Sequence, residues 1–133
     1  MKTTVKIEGK KFENYSIILR EDGIVQIEID PEAEVSVDQI IEGTNYVLGQ
    51  LNSIKSPVLF IANEFSLPSK ESREYLAKKE SLPYSLADAY VINSFPQKLA
   101  ANFYLKVNKP SRPTKMFSNT EEALKWLKTY IKA

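Results

Sequence analysis

The sequence contains neither cysteine nor histidine. No disulfide can form, and no thiolate or imidazole is available to bind zinc, copper or a haem iron. Cysteine proteases, Ser-His-Asp hydrolases and most histidine general-base mechanisms are excluded with them. A catalyst built here would have to rely on carboxylates, Lys, Ser, Thr or Tyr. Glycine is also scarce, with four in 133 residues and none after Gly49. Neither the dinucleotide fingerprint nor the phosphate-cradling P-loop is present, so no cofactor is expected. Long apolar runs are missing too. The longest clean one, Val58-Leu59-Phe60-Ile61-Ala62, falls far short of the ~20 residues that span a bilayer. The opening Met1–Lys6 segment is polar and lacks the apolar core of a secretory signal. These absences predict a soluble cytoplasmic protein without membrane insertion, and the missing cysteine agrees with a reducing compartment.

What is present is ordinary in bulk and uneven in detail. Eighteen basic residues oppose 17 acidic ones, for a net charge of +1, and 43% of the chain is hydrophobic. Between Glu21 and Ile54 there are eight acids and no base, and between Ser94 and Ser118 five bases and no acid. Such polarity either steers a charged partner and favours contact between copies, as in a homodimer, or marks two solvated faces of opposite sign. A near-neutral chain without an arginine-rich stripe is not expected to bind nucleic acid. A chain of this length and composition makes one domain, spanning 1–133.

Patterning predicts an α/β fold of order β-β-α-β-α-β-α-β-α. Asn14–Leu19 and Ile24–Asp30 flank Asp22-Gly23, a hairpin signal, and open the fold as two antiparallel strands. In the second strand Ile27 and Ile29 alternate with Gln26, Glu28 and Asp30, as on a strand with one wet face. Ser36 caps a helix with Gln39 in the reciprocal capping-box position. Its apolar stripe is Val37, Ile40, Ile41, Val47, Leu48, Leu51 and Ile54, and Gly43 and Gly49 suit close packing on the sheet. Pro57–Ala62 reads as a strand buried on both faces. Ser69 caps a shorter helix, and Leu86–Ile92 is the next buried strand. Ser94 starts a helix with Pro96 in its first turn, expected to carry Leu99, Phe103 and Val107 inward. After the Asn108–Pro113 loop, Thr114–Phe117 is a short strand, and Ser118 or Asn119 caps a last helix buried through Ala123, Leu124, Leu127, Tyr130 and Ile131. Lys125, Lys128 and Lys132 late in that helix suit its dipole.

Few residues suggest chemistry. The acidic Asp30–Glu34 segment lacks the spaced Asp/Asn-Gly pattern of a calcium loop, so a solvated connection is favoured and no metal is expected. Glu64 or Asp88 would need a second carboxylate in space to do acid-base work. Asp88 stands in an otherwise apolar strand, where a hydrogen-bonded structural role is the expectation. The tyrosines read as amphipathic packing. The informative place is the turn after the Val58–Ala62 strand, because open α/β sheets meet ligands and partners at the carboxyl ends of parallel strands. It offers Asn63, Glu64, Phe65, Ser66 and Ser69 as partner-binding or phospho-acceptor residues. Ser69 is either a phosphate site at a helix start or only a cap. A second place is the rigid basic loop carrying Lys109, Arg112 and Lys115, which either contacts an anionic partner or simply reverses the chain.

The order of elements, with Ser69-Lys70-Glu71-Ser72-Arg73-Glu74-Tyr75 and the tail from Phe117 through Glu121-Glu122-Ala123-Leu124-Lys125-Trp126-Leu127, resembles the STAS domain, the SpoIIAA-like fold of anti-sigma-factor antagonists. The chain is similar, too, to small bacterial proteins labelled STAS/CRAL-TRIO-like. Asn108-Lys109-Pro110 and Pro113-Thr114-Lys115 look like a subgroup signature. The resemblance implies a non-enzymatic interaction or regulatory module with an unidentified protein partner. In STAS antagonists an Asp-x-Ser segment carries a phosphorylated serine, and here Asn63-Glu64-Phe65-Ser66 stands in its place, with asparagine and an insertion. The CRAL-TRIO likeness implies the alternative of a carrier for a small apolar ligand or lipid, which needs an apolar pocket of several hundred Å³.

Overall fold

A computed structural model describes residues 8–131, and the Met1–Lys6 segment and Lys132 lie outside them. One mixed sheet of six strands runs in the order of the sequence. Its strands are β1 (Glu8–Phe12), β2 (Tyr15–Leu19), β3 (Val25–Ile29), β4 (Ser56–Ala62), β5 (Ser85–Val91) and β6 (Thr114–Phe117). β1 to β3 form an antiparallel meander, and β3 to β6 are parallel. The four helices are α1 (Val37–Leu51), α2 (Lys70–Leu76), α3 (Phe95–Phe103) and α4 (Thr120–Lys128). A 3₁₀ turn at Lys79–Ser81 follows α2, and a π-helical turn at Tyr104–Asn108 follows α3.

The expected α/β order is present, with one strand more. β1 reads Glu-Gly-Lys-Lys-Phe, an edge strand whose lysines discourage pairing with a second chain. Its charge conceals it from any apolar alternation. The hairpin link between β2 and β3 spans Arg20–Ile24, with Gly23 in the left-handed region at φ 89°. Arg20 forks onto Asp22 at 2.9 Å and also donates to Gln26 at 2.9 Å, which carries Gln26 into the interior rather than to a wet face.

β4 is apolar on both sides for a clear reason. Val58 and Phe60 enter the cluster under α1 and α2, while Leu59 joins Ala87, Ala89, Ala123 and Leu127 under α4. Three successive crossovers between parallel strands place α1, α2 and α3 on one face, and α4 covers the other. The capping box at Ser36 and Gln39 is present, and Asn119 caps α4.

Two expected stripes differ from the structure. In α1 the residues turned to the sheet are Gly43, Thr44 and Val47, with Ile40 and Leu51 beside them, whereas Ile41, Leu48 and Ile54 are exposed. A Cβ at Gly43 would stand 3.2 Å from both Ile17 and Tyr15, so that glycine does set a close approach, while Gly49 faces open space. In α3 the expected inward residues point out: Leu99 is 55% exposed, Phe103 47% and Val107 58%, with Phe95 at 70%. Gln97, Ala101 and Tyr104 face inward in their place. Gln97 wins that position through hydrogen bonding, which apolar periodicity does not register.

Candidate functional site

The carboxyl end of β4 leads into a tightly bound turn. Ser66 donates to the Asn63 carbonyl from its amide at 3.1 Å and from its hydroxyl at 2.9 Å. The Gln97 amide donates to the carbonyls of Asn63 and Ser66, each at 3.0 Å, and its own carbonyl accepts from the Asn93 N–H. Asn63 reaches back to the Ile29 carbonyl at 2.8 Å, and the Glu64 carbonyl accepts from Glu32 N–H at 2.7 Å. This turn is therefore fixed by polar contacts on its inner side. Its outer side carries Phe65, left-handed at φ 59° and 74% exposed.

The two serines singled out by sequence are both engaged. Ser66 is only 4% exposed, with its hydroxyl donated to Asn63. Ser69 is half-buried and accepts from Ser72 N–H at 3.1 Å as the cap of α2. Of the basic loop, Lys109 and Lys115 are exposed, but Arg112 turns inward. Its Nε donates to Asp88 at 2.7 Å, and its outer nitrogens donate to the carbonyls of Leu76 at 2.8 Å and Lys78 at 3.2 Å. Arg112 thus ties the end of α2 to β5 and presents no charge to a partner.

Asp88 is fully buried, and the Ser85 hydroxyl donates to its second oxygen at 2.6 Å. Burial pushes its carboxyl above the ordinary range, against the pull of Arg112 and Ser85. The same face carries Tyr84 and Tyr90, with Tyr104 packed edge-on to Tyr90 at 6.0 Å. Burial raises all three phenols, Tyr104 to about 12, and the nearby Asp88 charge adds to it. The Tyr90 and Tyr104 hydroxyls are near enough to influence each other's titration.

Between this face and the helices lies a chamber of about 150 Å³. Ile17, Ile27 and Phe60 line it from the sheet, Ile40 and Thr44 from α1, Leu76 from α2 and Ala101 from α3, with Ser66 to Pro68 completing the wall. Its lining is overwhelmingly apolar, and its size suits a single ring rather than a lipid chain. Among the described residues, no group of three or more carboxylates converges as a metal site. None of their helices is long and apolar enough to cross a membrane.

Outside, the face of α3 is apolar. Phe95, Leu99 and Phe103 follow one another at four-residue spacing along it, Val107 extends the run into the π-helical turn, and Arg73 lies over the Phe103 ring at 5.0 Å. The Gln97 contacts hold the Asn63–Ser66 turn, with exposed Phe65, beside the start of this strip.

The sequence of residues 17–131 matches the model of the domain of unknown function DUF7793. The chain belongs to this family. No curated protein matches the DUF7793 chain. Among solved structures, an uncharacterized protein of the DUF3478 family from Shewanella loihica PV-4, described as having a SpoIIAA-like fold, is similar to it. The two share 14% identity with a TM-score of 0.52, over 96% of this chain and 98% of the other. That likeness establishes the SpoIIAA-like fold of the DUF7793 chain, in agreement with its order of elements, and says nothing of activity.

Sequence reasoning singled out the Asn63–Ser69 turn but missed Gln97 as its anchor and the tyrosine wall beneath it. The wall had a signal: Tyr84, Asp88 and Tyr90 share the parity of one strand face.

Proposed function

We propose that this chain is a non-enzymatic interaction module that docks a protein partner on the outer strip of α3 and the adjoining Phe65 turn. The observation that carries this reading is the outward stripe Phe95, Leu99, Phe103 and Val107. A helix that turns its large apolar residues to solvent and its Gln and Ala inward is arranged for contact, since contiguous exposed apolar surface marks interaction sites. The charge pattern supports the kind of partner. Of the five bases in the acid-free Ser94–Ser118 stretch, Arg112 is tied to Asp88 and Lys98, Lys106, Lys109 and Lys115 stay exposed, so an apolar surface rimmed by acids is complementary. The turn's inner hydrogen bonds hold Phe65 in place before binding, which lowers the ordering cost of association. Asp88, the buried carboxylate, is bound by Arg112 and Ser85, as a structural group would be.

The test compares the full chain with its Phe95→Glu/Leu99→Glu variant as baits in a native lysate, followed by calorimetry with the purified captured protein. A partner retained in stoichiometric amount by the parent, binding the variant at least tenfold more weakly, supports the reading. Identical capture and affinity for both baits would overturn it. Self-association of the parent as the sole effect removed by the variant would overturn the choice of partner in favour of a homodimer.

A further inference from the structure

We propose that the free edge of β6, with the groove between it and α3, takes up an extended acidic peptide segment of a partner protein as an added strand of the sheet. Among the described residues β6 is the last strand and pairs with β5 alone. The carbonyls of Pro113 and Phe117 accept from the N–H of Asp88 and Ile92 at 2.8 and 2.9 Å, so these two residues and Lys115 between them face β5. By the alternation of a strand, the N–H and C=O of Thr114 and Met116 point away from β5, and no group among the described residues meets them. Such a row specifies its occupant, because an extended backbone presents donors and acceptors at the same repeat.

Beside that edge lies a groove of about 260 Å³. The buried Ile92 and Ala101 and half-buried Met116 give it apolar surface, and the exposed Lys98, Asn102 and Ser118 a polar rim. About 150 Å³ already holds a benzene-sized group, so one large apolar side chain of the added strand fits there. Its neighbours in the strand fall on the opposite face, the side of Lys115, whose exposed ammonium lies 5.5 Å from the centre of the Phe117 ring. Carboxylates at those positions meet Lys115, and one placed two residues along meets Lys98. Neither lysine is paired with a carboxylate among the described residues. The same lysines argue against a second copy, since pairing β6 with its own image sets like charges together. Lys98 and Asn102 stand on a flank of α3, whereas the proposed partner strip of Phe95, Leu99 and Phe103 faces outward, so the two sites stand or fall separately.

The probe is a fully randomised heptapeptide library displayed on phage and selected on the immobilised full chain. Selected peptides are expected to carry a large apolar residue flanked by Asp or Glu. With one of them bound as a synthetic peptide, hydrogen exchange at the Thr114 and Met116 N–H groups should slow by about tenfold, because a carbonyl replaces water on them. Lys98→Glu/Lys115→Glu should weaken the peptide by about tenfold and keep the parent's melting curve, both side chains being exposed. Lys98→Gln alone gives the same reading in smaller degree should the double variant not fold. No peptide enriched over an unrelated protein, selected peptides without acids, or unchanged affinity in the lysine variants would overturn the proposal. Peptides that shift Leu99 and Phe103 while Thr114 and Met116 stay unprotected would also overturn it, and would leave the partner strip standing.

Discussion

Replacing Arg112 by Met keeps most of the aliphatic stem and removes the charge. The Leu76 and Lys78 carbonyls lose a donor each, but Leu76 retains the Ser81 hydroxyl at 2.9 Å and Lys78 the Ser81 N–H at 3.1 Å, so little of the cost falls on them. Asp88 is different: it is fully buried, its Arg112 contact is 2.7 Å long, and only the Ser85 hydroxyl remains on its side chain. Breaking a buried pair from one side costs about 3–5 kcal/mol because a bare charge is left behind. Against a domain stability of about 5–15 kcal/mol, that is a drop in Tm of roughly 10–20 °C. The pH dependence identifies the cause. Without its countercharge, Asp88 has a folded pKa raised further above the unfolded value of about 3.9. A raised folded pKa means that the stability is fully present below the unfolded value and is lost as pH rises through the folded one. Arg112→Met should therefore lie far below the parent at pH 7.5 and approach it near pH 4. Urea unfolding at both values measures the gap, and Asp88→Asn added to Arg112→Met should recover part of it at pH 7.5. A deficit under about 1 kcal/mol, or one equal at the two pH values, would refute the reasoning.

Burial and packing set three further outcomes. Tyr84, Tyr90 and Tyr104 are held protonated by burial, with folded pKa values above the unfolded ~10, so their contribution is present below pH 10 and lost above it. At pH 11 the three together cost about 4 kcal/mol. Urea midpoints should fall sharply between pH 9 and 11, and tyrosinate absorbance at 295 nm should stay incomplete until the chain unfolds. Full titration in the folded chain would contradict the burial argument. In α1, Gly49→Ala should raise stability by about 0.5–1 kcal/mol, since a methyl there meets nothing within 4 Å. Gly43→Ala should forfeit that gain against Ile17 and Tyr15, both 3.2 Å away, as paired thermal melts will show.

Much of the fold was legible because it rests on local rules. Ser36 with Gln39, Ser69, Ser94 and Asn119 announce helix starts through side-chain oxygens that satisfy free N–H groups. Val58 to Ala62 announces a two-sided strand through unbroken apolarity. β1 was not legible, because an edge strand gains its hydrogen bonds from β2 while its side chains remain charged. The Asn63–Ser69 turn was legible as a place, since sheet topology puts such turns at the open edge. Its chemistry was not: Ser66 looked like an acceptor for phosphate and is buried, and Arg112 looked like surface charge and is an internal tie.

By itself the sequence determined the absence of thiol and imidazole chemistry, the single α/β domain, the helix starts and the doubly buried strand. Each depends on composition or on neighbours within a few residues. Tertiary structure alone decided which face of α3 is inside, that Asp88 meets a residue 24 positions away, and that three tyrosines share one chamber wall. Gln97 turns the helix by binding carbonyls 31 and 34 residues distant. The hydrogen bonds that outweigh apolar periodicity are formed between groups brought together only when the chain has folded.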